Sequence, residues 1–261
     1  MKKEIAFLYP ASKLNFKAID EGFEEEFTAA KNADLNVHVI DTDNLLNSRV
    51  IPTLPENSSI VYRGWMLSGD QYSDLEKRFA DKLLTSKERY LGAHHFPNWY
   101  VDIQDLTIPS VVTNENEAPQ KLHAFNGKAF IKDYVKSLKT GKGSIVEDEN
   151  DLQRAFADMK FYRGTIEGGI VLREVVHLKP NSETRFFVMK NQIFAPNNFP
   201  DKFDLVQQVI DRLKSKNLNF YSVDVATLDT GKNIVIEIGD GQVSDMVGWQ
   251  ASDFIKVLSH I

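Results

Sequence analysis

The segment from Tyr221 to Asp245, YSVDVATLDTGKNIVIEIGDGQVSD, constrains this chain more than any other. Two runs rich in β-branched residues flank Asp229-Thr230-Gly231-Lys232, a turn signal of the kind that joins antiparallel strands. With the turn centred between Thr230 and Gly231, paired residue numbers sum to 461 and Asp224 lies directly opposite Glu237. Alternation then puts Ser222, Asp224 and Ala226 on one face, and Val235, Glu237 and Gly239 likewise. Opposed residues have Cβ atoms about 5 Å apart, and like charges there destabilise the sheet. Two readings follow. In one, a cation sits between the carboxylates, and magnesium suits the position because it takes one or two protein carboxylates and completes its shell with water and phosphate oxygens. In the other, two solvated acids share an exposed face. On the first reading, neutralising either acid should slightly stabilise the empty protein.

Composition narrows the field. A chain of 261 residues, 42% apolar and 26% charged, can bury one elaborate domain or two small ones. No run of 18 apolar residues occurs, and IAFLYP after Met1-Lys2-Lys3 is too short for a signal peptide. The absence of cysteine excludes disulfides, thiolate nucleophiles and cysteine-based zinc sites. A net charge of −6 without a long basic tract argues against nucleic acid or an anionic membrane as partner. A cytoplasmic enzyme or binding protein is expected.

Strand and helix patterns alternate in the first hundred residues, which suggests a small open α/β layer. EIAFLYP (Glu4–Pro10), NVHVID (Asn36–Asp41) and SIVYR (Ser59–Arg63) read as strands. Asn15 is a cap candidate for a helix with Phe16, Ile19, Phe23, Phe27 and Ala30 on one face. Tyr72, Leu75, Phe79 and Leu83 mark another helix. Arg63 ends its strand beside Gly64, where ligands of open α/β sheets gather, so it is either an anion-binding candidate or a surface arginine in an ion pair. His94 and His95 have no carboxylate or third histidine at ligand spacing and read as packing or surface residues. Pro109 and the polar run Thr113–Gln120 look like a linker, which puts a domain boundary near Ile108.

Beyond it, KAFIKDY (Lys128–Tyr134) is a strand with Lys132 in its apolar middle, where a lysine should have an anionic partner. The loop KSLKTGKGS (Lys136–Ser144) offers backbone N–H groups and ammonium charge to a polyphosphate, or is simply solvated, and it lacks the P-loop spacing. Asp148–Lys160 is a helix, GIVLREVV (Gly169–Val176) a strand, and ETRFFVMK with QIFAP a hairpin turning at Asn191. Arg185, set among aromatic and branched residues, implies a buried ion pair or a bound anion. A helix over Pro200–Lys216, the acidic hairpin and a helix over Ala251–Ile261 close the chain.

The order is lysine strand, Gly/Lys loop, helix, REVV strand, ETRFFV hairpin, helix and D…E hairpin. It resembles the nucleotide-binding half of the ATP-grasp superfamily, and within it the clade named for two arginines and a lysine. Tyr62-Arg63-Gly64-Trp65 also matches the arginine signature of that clade's N-terminal domain. The resemblance implies α/β and α+β architecture: a small N-terminal α/β domain over residues 1–108, then an ATP-grasp module over 109–261 made of two α+β subdomains, with 125–176 as the lid subdomain. It implies ATP and Mg2+ as cofactors. Lys132 would contact the α- and β-phosphates, and Lys142, Gly143 and Ser144 would belong to the phosphate lid that begins at Gly141. Arg173, Glu174, Val175 and Val176 lie in the hinge that reads adenine, and Glu183 where an acid binds ribose. Arg185 would stabilise the transferred phosphoryl group, with Asp224 and Glu237 as the metal ligands. Many members carry Asn two residues after the metal glutamate. Here Gly239 is followed by Asp240, so a third ligand comes from Asp240 or the second metal is held more weakly.

The function implied is ATP-dependent joining of a small-molecule or peptide carboxylate to an amine through an acyl phosphate, with Arg63 gripping the acid and Lys132 and Arg185 balancing phosphate charge. A kinase that releases its phosphorylated product is the second enzyme reading. A nucleotide-binding module without catalysis is the third. Oligomeric state and the identity of the substrates are not written in the sequence.

Overall fold

The computed structural model describes residues 4–137, 143–196 and 200–261. Three sheets carry the architecture, and each is contiguous in sequence. In the first, β1 (Glu4–Ser12) lies between parallel neighbours β3 (Asn36–Ile40) and β5 (Ser58–Tyr62). The hairpin strand β2 (Asn15–Ile19) folds back on the far end of β1, and β4 (Val50–Ile51) pairs with β3. A strand with parallel partners on both sides is covered on both faces, which is why Ala6 to Ala11 is an unbroken buried run. Helices α1 (Glu24–Asn32), α2 (Gly69–Phe79), α3 (Lys87–His94) and α4 (Phe96–Ile103) complete this part of the chain.

Two sequence expectations change here. Asn15 caps no helix. Residues 15–19 are a strand, and the helical segment starts at Glu21, where the Asp20 carboxylate accepts from the Gly22 N–H at 2.9 Å. Phe16 and Ile19 share helical spacing with Phe23 only because five residues are too few to separate the two periods. The expected linker is also structured. Ser110–Thr113 forms β6, and after a turn capped by the Asn114 side chain, Ala118–Leu122 forms α5.

The second sheet has the order β6-β9-β7-β8, all antiparallel, with β7 (Ala129–Asp133), β8 (Ile145–Val146) and β9 (Ile170–Arg173). Helix α6 (Glu149–Arg163), capped by Asp148, buries Leu152, Phe156 and Met159 against it, and this subdomain has its own core. The third sheet, β11-β10-β12-β13, consists of β10 (Thr184–Met189), β11 (Gln192–Phe194), β12 (Phe220–Thr227) and β13 (Asn233–Asp240). Helix α7 (Pro200–Leu213) lies between β11 and β12, and α8 (Ala251–Leu258) follows the sheet.

The third sheet is the middle of the molecule. On one face, Phe186, Val188, Tyr221, Val223 and Ile238 pack against Phe96, Trp99 and Ile103 of α4 and against α7. On the other, Phe187, Met189 and Phe220 join Phe7, Tyr9 and Val61 of the first sheet and Phe254 of α8. The first layer is therefore fused to the third sheet by apolar packing on both sides, whereas the second sheet leans over it.

Arg63 completes the fusion. It is 1% exposed, and its fork meets both oxygens of Glu26 on α1, Nε to Oε1 and Nη2 to Oε2, each at 2.8 Å. Nη1 donates to the Gln242 carbonyl at 3.0 Å, and the guanidinium lies over the Phe254 ring. The Tyr9 hydroxyl adds a third bond to Glu26 at 2.9 Å. Removing one member of such a buried pair strands the other charge. Arg63→Met should therefore lower stability by about 3–5 kcal/mol in urea unfolding, with Glu26→Leu added to it recovering most of the loss. A single mutant that keeps the wild-type midpoint would show that the pair is not structural.

Candidate active site

The chemistry-bearing side chains meet where the second sheet faces the third. In the third sheet, Arg185 of β10 is the cross-strand partner of Asp224 of β12, and Asp224 is the partner of Glu237 of β13. One row across three strands thus reads cation, anion, anion. Arg185 holds Asp224 with both arms of its fork, Nε to Oδ1 at 2.8 Å and Nη2 to Oδ2 at 2.6 Å, while Nη1 donates to the Asp245 carbonyl at 3.0 Å. Glu237 takes its cation from the other sheet: Lys132, 3% exposed on β7, donates to Oε1. Below it, the Phe96 ring lies 5.9 Å from Lys132 Nζ and 5.4 Å from the Arg173 guanidinium.

These four side chains line a cleft of about 540 Å³ together with Arg173, Glu174, Val175, Val176 and Glu183. The rest of its wall is mostly apolar, with Phe130, Ile145, Leu178, Ile236 and Val247 beside Ser137. Three of those, Ile145, Leu178 and Val247, are among the large exposed hydrophobic residues of the chain, so the apolar rim explains their exposure. The cleft combines an apolar slot, a row of cations and a pair of carboxylates. A smaller hollow of about 100 Å³ adjoins it, shares Arg185 and Glu237, and reaches Trp65, Met66 and His94 of the first layer.

Not every expected residue lies here. Arg63 is outside the cleft, and the carboxylate in its fork is Glu26. Asp240 is also outside, because strand alternation turns it to the opposite face from Glu237, where it is 1% exposed and accepts from the Gln242 backbone and side chain, both at 3.0 Å. Gly143 and Ser144 do not line the cleft, and the Ser144 carbonyl accepts from the Ile131 N–H at 2.7 Å. Gly141 and Lys142 fall outside the described residues. Arg173 lines the cleft, but its nitrogens donate to Ser110 Oγ, Thr107 Oγ1 and the Ile236 carbonyl. His94 stacks on Tyr90, and His95 meets Glu167 at 3.1 Å. Two contributors were not foreseen. Lys202 of α7 donates to the Ser182 carbonyl and to Thr184 Oγ1, bracketing Glu183, and Thr107 reaches the Val235 carbonyl at 2.8 Å. Neither carries a local sequence signal, since both act across more than fifteen residues of chain.

Electrostatics follow the contacts. Burial works against the Arg185 charge, but its bonds to Asp224 outweigh that and hold the guanidinium firmly protonated. Burial pushes the Asp224 carboxyl up, with Arg185 pulling against it. Burial also lowers Arg173 to about 10, with Glu237 opposing. The donor set fits a hard divalent cation that keeps most of its shell from water and phosphate, because Asp224 and Glu237 face each other on adjacent strands. Among the described residues no group of three or more acidic, histidine or cysteine side chains could hold a metal.

The family description ATP-grasp domain, R2K clade family 3, matches residues 102–258. The chain belongs to this family. Solved structures share the ATP-grasp fold over nearly its whole length. The D-cycloserine synthetase DcsG superposes with a TM-score of 0.66 at 12% identity, covering 98% of each chain. The macrocyclase MdnC, bound with precursor peptide MdnA from Microcystis aeruginosa MRC, gives 0.61 at 15% identity, covering 98% of this chain and all of that one. The ATP-grasp ligase PsnB, complexed with a phosphomimetic variant of a minimal precursor, Mg and ADP, gives 0.61 at 13% identity, covering 99% and 97%. No curated protein matches the chain by sequence. Among the described residues no helix is long and apolar enough to cross a membrane.

The pairing overturns one expectation and generates a prediction. Because each acid has its own cation, neutralising Asp224 leaves Arg185 without its partner rather than relieving repulsion. Asp224→Asn should lower the melting stability of the empty protein by about 3 kcal/mol. Glu237→Gln, in contrast, frees Lys132. Metal-free ADP, titrated in EDTA, should bind this variant roughly fivefold more tightly, as expected if about 1 kcal/mol of competing ion pair is removed. Unchanged or weaker binding would mean that phosphate does not draw on Lys132.

Asp240 gives a pH signature. Burial pushes its carboxyl up to about 7, whereas the unfolded chain titrates near 4. Between those values the folded state holds more protons, so this group's contribution to stability falls as pH rises from about 4 to 7. Both bonds from Gln242 go to Oδ1, which asparagine retains. Asp240→Asn should therefore flatten that part of the pH–stability curve in urea melts at pH 5 and 7.5. An unaltered slope would assign the pH dependence elsewhere.

Proposed function

We propose that this protein is an ATP-dependent carboxylate–amine ligase that works through an acyl phosphate. The observation that carries the reading is the convergence of Lys132 and Arg185, from two different sheets, on Asp224 and Glu237 inside one cleft of an ATP-grasp chain. On this reading residues 109–261 form the nucleotide-binding module, with 125–176 as its lid. The apolar slot between Phe130, Ile145, Leu178 and Val247 takes adenine, the Glu174–Val176 backbone reads its edge, and Glu183 takes the ribose hydroxyls. Lys132 passes from Glu237 to the α- and β-phosphates, and Arg185 stays beside the transferred group, where its charge counts most in the transition state. Asp224 and Glu237 would hold magnesium, which would supply further positive charge to the phosphates.

A carboxylate is a poor electrophile because its oxygens leave badly. Its oxygen attacks the γ-phosphorus as the bond to ADP breaks, and the resulting anhydride carries a good leaving group. The amine then attacks the acyl carbon, loses a proton, and phosphate departs. The acid is seated in the small hollow that shares Arg185 and Glu237 with the cleft, a role the buried Arg63 is not free to take. The complexes of MdnC and PsnB with precursor peptides support a peptide as one substrate class, and the magnesium and ADP in PsnB support both ligands in this fold. A cytoplasmic setting agrees with a cysteine-free chain that consumes ATP.

The test is trapping. With Mg–ATP, hydroxylamine and a panel of amino acids and peptides, the protein should release ADP and phosphate and form the hydroxamate of one acid. Arg185→Lys should slow this reaction by at least about tenfold while leaving Mg–ADP affinity within roughly twofold, because a point charge replaces a planar fork. ADP release with the phosphoryl group retained on the product would make it a kinase instead. Failure to bind Mg–ADP would overturn the nucleotide reading altogether.

A further inference from the structure

The register of the acidic hairpin is not uniform. Next to the turn, Val225 pairs with Val235, Ala226 with Ile234 and Thr227 with Asn233, whereas farther out Asp224 pairs with Glu237 and Val223 with Ile238. Ile236 is the extra residue of a β-bulge on β13. Had the pairing beside the turn continued, Asp224 would face Ile236, and Glu237 would lie opposite Val223 on the face packed by α4 and α7. A slip of one residue turns every side chain to the other face. The two carboxylates share the cleft only because of that one inserted residue.

A bulge breaks the ladder locally, so its backbone groups need partners from elsewhere. Here they come from the second sheet and the segment leading into it. Arg173 Nη1 donates to the Ile236 carbonyl at 2.9 Å, Thr107 Oγ1 donates to the Val235 carbonyl at 2.8 Å, and the Val235 N–H donates to Leu106 at 2.9 Å. Arg173 Nη2 in turn donates to Thr107 Oγ1 at 3.2 Å, and Nε to Ser110 Oγ at 3.2 Å. Thr107 and Arg173 are both about 4% exposed. No carboxylate among the described residues lies within ion-pair distance of this guanidinium, so its hydrogen bonds go to the bulge and to the residues that brace it, with the Phe96 ring against its plane.

We propose that Arg173 and Thr107 are positioning residues that hold the bulge at Ile236 and thereby set Glu237 opposite Asp224. The proposal rests on the reading of Glu237 as a metal ligand. It differs from a nucleotide-reading role for Arg173, since it acts through the backbone of β13. Thr107 does not line the cleft at all, which makes it the cleaner probe.

The experiment is electron paramagnetic resonance titration of Mn2+ into the ADP complex of folded protein, alongside metal-free ADP binding in EDTA. Thr107→Val keeps shape and removes the hydroxyl. It should weaken Mn2+ binding by about tenfold or more, the range seen when groups behind a metal ligand are lost, with metal-free ADP affinity unchanged. Thr107→Ser, which keeps the hydroxyl, should restore Mn2+ affinity, and Arg173→Met should shift it in the same direction as Thr107→Val. A purely structural role would lower the melting temperature and leave Mn2+ affinity alone, and that result overturns the proposal. Glu237→Gln separates the two layers of the argument. If it loses Mn2+ while Thr107→Val does not, only the positioning role fails; if it binds Mn2+ like wild type, the metal-ligand reading fails and takes the proposal with it.

Discussion

Two carboxylates on adjacent strands repel by roughly 3 kcal/mol at 5 Å in a medium of effective dielectric 20. The fold answers that repulsion with a cation for each. Arg185 lies beside Asp224 in the same sheet, and Lys132 reaches Glu237 from the facing one. Opposite charges at hydrogen-bond distance attract more strongly than the acids repel, so the row is held together rather than strained. The arrangement also fixes the geometry around it. Lys132 can meet Glu237 only if the second sheet leans over the third, and this lean encloses the cleft between them. One ion pair therefore connects the second sheet to the third.

On the proposed reading, the same pairs make the site exchangeable. A polyphosphate offers Lys132 and Arg185 better partners than carboxylates do, but accepting them leaves Asp224 and Glu237 bare beside more negative charge. A divalent cation alone meets the reverse problem, because it must displace two cations that then have no anion. On that reading, metal and phosphate arriving together would exchange partners with the protein in a single balanced set, so each should favour the binding of the other. Coupling of this kind is a free energy shared between two ligands, and it is reciprocal by necessity.

Much of this was legible in the sequence where the signal was local. The acidic hairpin declares itself through its turn and its β-branched runs, and Lys132 through its place in an apolar strand. Even so, the correct pairing of Asp224 with Glu237 depended on compensation. The turn is centred on Thr230, half a residue earlier than expected, and the bulge restores the sum of 461 beyond it. The Arg185–Asp224 pairing was out of reach because α7 lies between their strands, so no short turn fixes the register. Asp240 is a different case. The resemblance offers it as a stand-in for the usual Asn where this chain has Gly239, and alternation turns its side chain to the opposite face from Glu237. Residues 110–122 failed differently, as a four-residue edge strand and a one-turn helix carry too little periodicity to rise above their polar surroundings.

Two arginines that look from the sequence like ligand contacts each give a donor to β13 or to the turn just past it. Arg173 grips β13 at the bulge, through the Ile236 carbonyl. Arg63 grips the turn just past its far end, through the Gln242 carbonyl, and it is anchored in turn by Glu26 of the first layer. Glu237 lies between these two grips. A guanidinium suits such a task because it donates in several directions from one rigid plane, so a single side chain can fix a backbone carbonyl and still be fixed itself. Lysine in either place would keep the charge and lose the geometry. The first layer, on this account, contributes to the chemistry chiefly by position: fused to the third sheet through its aromatic core and through Arg63, it prevents the strand that carries Glu237 from sliding by the one residue that would turn the carboxylate out of the cleft.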